Sequence, residues 1–394
     1  MTGDTPGVVI IGGGLAGARC ATTLRSLGEQ RSIQIFGDEP DMPYERPALS
    51  KQYLAGTRGV PDLALVSPAQ LAQQNITMHP RSDIACIDHE ARAVADLRGR
   101  STSYASLVIA TGARARTLAG SSRYSNVITL RARRDADRLR PWCGAGHHLV
   151  IIGCGFVGAE VASTVLSMGG TVTVLESGAA PYESLLGIDA GNLLLNHYRS
   201  HGVDVRTRTL VVGVEGAGGL AREVVLGDGT RINCDAVLVS IGAIARDELF
   251  WSIGATAPIV PIAGGGIPVD DCGRTGLADI YACGDVAAWW REHEHAHLRI
   301  EHFTDAAAQG VAVAHAIAGA TPPPLPVPFV WSEQFGLRLQ FAGRSRLAHA
   351  IDVESATPAS LLVRYRDEQG RTVGVLGANR PRDIAHIRRE LAAA

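Results

Sequence analysis

Lysine is almost absent from this chain: of its 37 basic residues, only Lys51 is a lysine. A coding bias towards arginine is the simplest explanation of the shortage. The bias makes the single lysine informative, because a compact ammonium group differs chemically from a guanidinium. The chain also has no run of about 18 uninterrupted apolar residues, so no transmembrane helix is predicted.

The net charge is small as well, at -2, and gives no indication of nucleic-acid binding. No basic segment precedes the first apolar run, residues 8–11, so no signal peptide is expected. One hydrophobic core stops growing at about 250–300 residues, and 394 residues therefore predict two or three domains.

Paired cysteines are missing too. None of the seven cysteines forms a C-x-x-C or a zinc-like spacing, which predicts reduced thiols in a cytoplasmic protein. The seven are Cys20, Cys86, Cys143, Cys154, Cys234, Cys272 and Cys283. His293, His295 and His297 could share one strand face and bind zinc, but a polar loop is the favoured interpretation. No metal site is predicted.

Two segments of the chain resemble each other. In residues 8–17 and 149–158, a short apolar run leads into Gly-x-Gly-x-x-Gly and then into a helical pattern. This is the start of a Rossmann unit: the first glycine makes the tight turn, the second admits a pyrophosphate, and the third lets helix and strand pack closely. The alternative is a pair of purely structural turns. The candidate glycines are Gly12, Gly14, Gly17, Gly153, Gly155 and Gly158.

An acidic residue follows the second copy. Glu176 ends the apolar run that starts at Thr171, where a carboxylate accepts hydrogen bonds from adenosine ribose and repels a 2′-phosphate. No arginine follows until Arg199, so NADH is predicted over NADPH. In the first copy either Asp38 or Glu39 could reach the ribose, and the choice stays open.

Two further motifs resemble the flavoprotein family with two dinucleotide domains. Residues 107–112 are similar to its crossing strand and turn, and residues 280–285 to its second FAD motif, in which Asp285 accepts hydrogen bonds from the ribityl chain. Residues 43–51, residues 299–303 with Gln309, and residues 330–334 are similar to the oxygenase-coupled ferredoxin reductases of the putidaredoxin-reductase and biphenyl-dioxygenase-reductase type. Ala48 and Phe303 depart from that pattern, where proline and tryptophan are usual.

The resemblance implies an α/β fold with two Rossmann-like domains, one for FAD and one for NAD, plus a small C-terminal α+β domain. We expect a discontinuous FAD domain at 1–115 and 243–320, an NADH domain at 116–242, and the C-terminal domain at 321–394. A proline-rich segment, residues 321–328, is typical of a semi-rigid linker.

The resemblance also implies site residues. Lys51 and Glu160 are the expected catalytic pair beside flavin N5, with a surface lysine as the alternative. Trp331 is expected near the isoalloxazine or, equally, as core at a domain seam. Arg46 is expected to hold FAD phosphates or adenine, or else a surface salt bridge. The remaining cofactor-binding candidates are Ala16, Ala110, Thr111, Gly112, Gly242, Gly284, Glu301 and His302.

Redox thiols beside the flavin are missing, since residues 44–54 contain no cysteine. Electrons must then leave the flavin without a protein thiol, and the chain has no cysteine cluster for its own iron–sulfur centre. The predicted enzyme is an NADH:ferredoxin reductase whose two-iron ferredoxin feeds an oxygenase, acting as a monomer or weak dimer. Alternatives are a rubredoxin or small-molecule reductase, or an NADH-sensing protein like apoptosis-inducing factor.

An acidic ferredoxin would dock on a basic surface. Two groups of arginines are candidates, and a solvated helix face explains the second equally well. The first group is Arg338, Arg344 and Arg346, and the second is Arg131, Arg133, Arg134, Arg138 and Arg140.

Overall fold

The computed structural model describes residues 6–254, 261–262, 264–357 and 359–393. The chain forms two compact units, each assembled from separate segments. The first contains Met1–Glu45, Leu63–Arg114 and Ile244–Pro328, and the second contains Arg46–Asp62, Ala115–Ala243 and Phe329–Ala394. Among the described helices, none combines the length and the apolar character that a membrane span requires.

A seven-stranded sheet forms the core of the first unit. Five strands run parallel in the spatial order Ile76–His79, Ile33–Phe36, Gly7–Ile11, Ser101–Ile109 and Ile280–Ala282. The antiparallel strands Ala93–Asp96 and Ile84–Asp88 extend it from Ser101–Ile109. A separate three-stranded sheet contains Ile267–Val269, Ala287–Arg291 and Ala296–Leu298.

Helices pack on the parallel part of this sheet. Leu15–Ser26 and Phe303–Ile317 lie side by side, and a Cβ at Gly310 would come within 2.3 Å of the Ala16 carbonyl oxygen. Only glycine allows that approach, because any side chain would overlap the backbone of the neighbouring helix. The other described helices of this unit are Pro68–Gln73 and Glu248–Trp251.

A second parallel sheet, of five strands, forms one part of the second unit. Its spatial order is Asp204–Arg206, Thr171–Leu175, His148–Ile152, Ala236–Val239 and Val127–Thr129. The central strands are buried on both faces, as their Val, Ile and Leu content requires. The described helices around it are Arg133–Leu139, Phe156–Ser167, Glu183–Leu186 and Ile188–Ser200, and a small antiparallel sheet contains Val211–Ala217, Leu220–Leu226 and Arg231–Asn233.

The last 66 positions of the chain, from residue 329, build an antiparallel sheet and a helix. The spatial order of its strands is Phe329–Gln334, Leu337–Gly343, Thr372–Ala378, Ser360–Arg366 and Ala350–Thr357, and the helix is Pro381–Ala393. The first two strands form a hairpin whose turn residues, Phe335 and Gly336, have φ of 50° and 74°. Two short strands, Ala113–Ala115 and Ala243–Ala245, lie where the chain passes between the units.

Candidate active site

The first glycine turn joins strand Gly7–Ile11 to helix Leu15–Ser26. Gly12 has φ of 128°, and a Cβ there would lie 2.0 Å from the Ala110 carbonyl oxygen. Gly14 precedes the helix, and no other atom lies within 4 Å of the position its Cβ would take. The space beside Gly14, at the start of the helix, is therefore open, which suits the pyrophosphate of a dinucleotide.

The residues of the second flavin motif meet this turn within the first unit. Gly284 has φ of 78°, and its Cβ would lie 2.9 Å from the Ala16 Cβ. Its N–H donates to Gln309 Oε1 at 2.7 Å. The Gln309 side chain is fully buried, yet its Nε2 has no partner among the described residues. Buried amides seldom stay unpaired, so this donor and the open space at Gly14 fit a bound FAD.

Asp285 and His302 lie close enough to interact electrostatically. Burial lowers the pKa of His302 to about 4, although the Asp285 carboxylate acts in the opposite direction. The imidazole is therefore neutral at physiological pH. Arg299 donates to the Asp285 carbonyl oxygen at 3.3 Å and forms an ion pair with exposed Glu301.

The two acidic candidates for the FAD ribose both have partners in the first unit. The Asp38 carboxylate accepts from Arg246 at 2.6 Å, and Glu39 accepts from the Tyr44 hydroxyl at 2.6 Å. The crossing segment holds Arg246 in place, because Thr111 Oγ1 donates to its carbonyl oxygen at 2.6 Å and Gly112 accepts from its N–H. Ala110 donates to the end of the first strand at 2.7 Å, so this segment is tied to the glycine turn.

The second glycine turn, in the second unit, repeats the first. The Cβ positions of Gly153 and Gly158 would lie 2.2 Å from the carbonyl oxygens of Ser240 and Gly153. Gly155 meets nothing within 4 Å. Gly242, just after strand Ala236–Val239, has φ of 95° and accepts from the Arg116 N–H at 2.9 Å. This turn too leaves open space before a helix N-terminus.

Glu176 lies directly against that turn. Its Oε2 accepts from the Cys154 N–H at 2.8 Å and its Oε1 from the Gly178 N–H at 2.7 Å. Parallel pairing of Asp204–Arg206 with Thr171–Leu175 brings two arginines near the same strand end: the Glu176 N–H donates to the Arg206 carbonyl oxygen, and the N–H of Arg208 donates to Gly178. The sequence gave no sign that these arginines lie near Glu176, because they follow it by 30 residues or more.

Lys51 and Glu160 form a largely buried ion pair in the second unit. Lys51 Nζ lies 2.8 Å from Glu160 Oε2, and the two side chains are 12% and 7% exposed. Glu160 is on helix Phe156–Ser167, which follows the second glycine turn. Lys51 lies in a turn after the short 3-10 helix Arg46–Ala48, its N–H donating to the Ala48 carbonyl oxygen. It is therefore not the surface lysine of the alternative interpretation.

Two hydroxyl groups that sequence reasoning missed also bind Glu160. Ser50 Oγ donates to Oε2, and Ser332 Oγ donates to Oε1 at 2.7 Å. Ser50 precedes Lys51, and Ser332 lies within the segment singled out for Trp331. A serine between two motif residues carries no chemical signal of its own, so the sequence could not assign it.

Trp331, Arg46 and the second group of arginines each contact different residues of the second unit. Trp331 is half-buried and stacks on Phe329 with the ring centroids 6.2 Å apart. Arg46 donates to the Arg131 carbonyl oxygen at 2.7 Å. In the second arginine group, Arg133 pairs with Asp137 at 2.8 Å, and Arg140 donates to backbone carbonyls. Arg133 and Arg140 of that group are therefore engaged in contacts within the second unit.

The three histidines do not share a strand face. His293 is in a 3-10 helix, His295 has φ of 44°, and His297 is in a strand and contacts Trp290. Within the described ranges, only exposed Asp270 and Asp271 with Cys272 group their ligand atoms closely enough for an ion. All seven cysteines are free thiols.

Two glycine turns of this form, each between a parallel strand and a helix, are typical of an α/β protein that binds two dinucleotides. Residues 6–310 match the family described as pyridine nucleotide-disulphide oxidoreductase, and residues 329–394 match the family described as reductase C-terminal. The chain belongs to the pyridine nucleotide-disulphide oxidoreductase family. It is an enzyme that uses FAD and NAD(H), although it lacks the thiol pair for which the family is named.

Similar proteins cover nearly the whole chain. A ferredoxin–NAD(P)+ reductase from Sphingomonas is 34% identical over 99% of this chain and 93% of its own length. The ferredoxin reductase component of a chlorobenzene dioxygenase from Cupriavidus is 36% identical over 96% of this chain and 90% of its own. Putidaredoxin reductase, in its covalent complex with putidaredoxin, matches with a TM-score of 0.94 and 31% identity over 99% of this chain and 93% of its own. These matches confirm the predicted family and α/β fold.

Proposed function

We propose that the protein is an NADH:ferredoxin reductase that supplies an oxygenase with electrons. The observation that carries the proposal is the buried Lys51–Glu160 pair in a chain whose residues 44–54 contain no thiol. When bound, FAD would supply the conversion of a two-electron hydride from NADH into the single electrons that an iron–sulfur partner requires. The relatives named as ferredoxin reductases support the same activity.

In this proposal the FAD-binding residues of the first unit are the first glycine turn, the 110–112 crossing segment, the Gly284–Asp285 motif, Glu301 and His302. Arg46 and Trp331 are the proposed cofactor-binding residues of the second unit. The expected domain boundaries, 1–115 with 243–320, 116–242 and 321–394, are part of the proposal. Lys51 supplies a positive charge that favours reduced flavin, and Glu160 orients it. An ammonium held by a buried carboxylate keeps its position, so little reorganisation is needed when charge develops.

NADH is the proposed donor in preference to NADPH. The Glu176 carboxylate lies beside the second glycine turn, where it would accept from ribose hydroxyls and repel a 2′-phosphate. Arg206 is paired with Asp204 at 2.8 Å, which offsets part of its charge. Exposed Arg208 is the nearby cation that could moderate this preference.

The proposed partner is an acidic ferredoxin with a two-iron two-sulfur cluster, and the reductase acts as a monomer or weak dimer. The structure bound to putidaredoxin supports a ferredoxin partner for this fold. The free state of all seven cysteines agrees with a reducing, cytoplasmic location.

An anaerobic titration tests the activity. NADH is added to the FAD-loaded protein mixed with excess two-iron ferredoxin, and the absorbance of each centre is followed. We expect two ferredoxin molecules to be reduced for each NADH consumed. Reduction of the flavin without reduction of ferredoxin would favour a rubredoxin or a small-molecule acceptor. Failure of NADH to reduce the flavin would contradict the proposal.

A further inference from the structure

The Glu160 carboxylate accepts a hydrogen bond at each oxygen, from different parts of the second unit. Lys51 and Ser50 bind Oε2, whereas Ser332 binds Oε1 at 2.7 Å. Since Lys51 contacts only one of the oxygens, the rotation of the carboxylate decides whether that contact is kept. Ser332 is the group that fixes the other oxygen.

Ser332 is itself held by a buried amide. Its side chain is fully buried, and its Oγ accepts from Gln334 Nε2 at 2.9 Å. Gln334 Oε1 in turn accepts from the Tyr198 hydroxyl at 2.6 Å, and Gln334 Nε2 also donates to the Tyr182 hydroxyl at 3.1 Å. Gln334 and Tyr198 are 2% and 1% exposed. Burial of Ser332, Gln334 and Tyr198 makes a lost partner in this series costly.

Because the Glu160 carboxylate can only accept, the hydrogen bonds of this series run towards it. The Tyr198 hydroxyl donates to Gln334 Oε1 at 2.6 Å, and this oxygen also accepts from the Tyr182 hydroxyl at 3.4 Å. The Gln334 amide group must then donate to Ser332, whose single proton is left for Glu160. Four side chains thus form a one-way series that ends on the carboxylate, and each bond polarises the next.

We propose that Ser332 and Gln334 are positioning residues for the reductase reaction, acting through Glu160 to hold Lys51 in place. The inference rests on the proposed role of Lys51 in flavin reduction. It assigns a function to the hairpin of the C-terminal domain: a buried hydroxyl from strand Phe329–Gln334 sets the orientation of Glu160 on helix Phe156–Ser167, and through Glu160 the position of Lys51.

The test is single-turnover reduction of the bound flavin by NADH in a stopped-flow instrument, without ferredoxin. For Ser332→Ala, we expect the limiting rate to fall about tenfold, because small misplacements of reacting groups are costly. The NADH concentration for half-maximal rate should stay within about twofold, because Ser332 does not touch the glycine turn. Ser332→Thr, which keeps the hydroxyl, should restore most of the rate.

Ser163→Ala is the matched control. Ser163 lies on the same helix as Glu160 and accepts from the Phe335 N–H of the same hairpin at 2.8 Å, but does not bind Glu160. It should reduce its flavin at the wild-type rate. If Ser332→Ala fails to fold with FAD, Gln334→Met, which keeps side-chain length and removes the donor to Ser332, should show a smaller fall of about threefold.

Lys51→Arg in the same series separates the two claims. A slow Lys51→Arg with wild-type rates in both Ser332→Ala and Gln334→Met would overturn the positioning role alone. A wild-type rate in Lys51→Arg would remove the proposed role of Lys51 itself. A fall in Ser163→Ala equal to that in Ser332→Ala would show that the hairpin acts only through packing.

Discussion

Replacing Gly155 and Gly158 by alanine, one at a time, should have opposite consequences for fold and coenzyme. A Cβ at Gly158 would lie 2.2 Å from the Gly153 carbonyl oxygen, more than 1 Å inside an ordinary contact. Backbone on both sides must move, and overpacking of this kind costs about 1–3 kcal/mol. We therefore expect Gly158→Ala to lower the midpoint of thermal unfolding by several degrees.

Gly155→Ala should leave the fold nearly intact. Its φ and ψ, -80° and -173°, suit any residue, and its Cβ would meet nothing within 4 Å. The loss of stability should stay under about 1 kcal/mol, since only the helix N-cap preference changes. The methyl group would, however, occupy the space where the NADH pyrophosphate approaches the backbone. A loss of about 1.4–2.8 kcal/mol there weakens NADH binding about 10- to 100-fold.

Thermal unfolding followed by circular dichroism, together with the NADH dependence of flavin reduction, measures both effects. The content of bound FAD serves as the internal control, because Gly155 belongs to the second turn. An unchanged NADH dependence in Gly155→Ala would refute the assignment of that turn to NADH. Equal stability of the two variants would refute the steric argument.

Three further predictions concern charged groups. Lys51→Arg should slow flavin reduction by NADH about tenfold, because the larger, planar guanidinium can still pair with Glu160 but does not place a compact charge where the ammonium lies; an unchanged rate in stopped flow would contradict this. Glu176→Gln should reduce the preference for NADH over NADPH about tenfold in steady-state kinetics. Adding Arg208→Ala to that variant should restore part of the preference for NADH, and an unaltered preference in Glu176→Gln would exclude a role for Glu176. Side-chain hydrogen bonds from Arg31 lower the pKa of Glu29 from 4.5 to about 2, so its stabilising effect is complete above pH 4.5 and is lost as the pH falls towards 2. Glu29→Gln should then lower the free energy of unfolding in urea by about 1–2 kcal/mol at pH 7 and by less at pH 3.5, and an equal loss at both pH values would contradict the assignment.

The local parts of this molecule were predictable from sequence. The glycine turns follow from residue type and spacing alone, because Gly12 and Gly153 need φ values that other residues avoid and a Cβ at Gly17 or Gly158 would strike the turn. The pairing of Lys51 with Glu160 came from resemblance, and the contact at 2.8 Å agrees with it.

Long-range partners could not be predicted in the same way. Arg246 reaches Asp38 across 208 residues, and Ser332 reaches Glu160 across 172. Neither separation along the chain corresponds to a helix or strand periodicity or to the spacing of a motif, so the sequence does not indicate the contact. The Arg208 N–H reaches the Gly178 carbonyl oxygen only because two strands pair in parallel, and the interval along the chain gave no sign of this contact.

The central claim is delivery of electrons from NADH through FAD to an iron–sulfur protein. Its most direct test is NADH-dependent reduction of cytochrome c by the FAD-loaded protein, with and without an added two-iron ferredoxin. A large, saturable stimulation by ferredoxin is the predicted result. If NADH reduces the flavin but no ferredoxin stimulates cytochrome c reduction, the claim is contradicted.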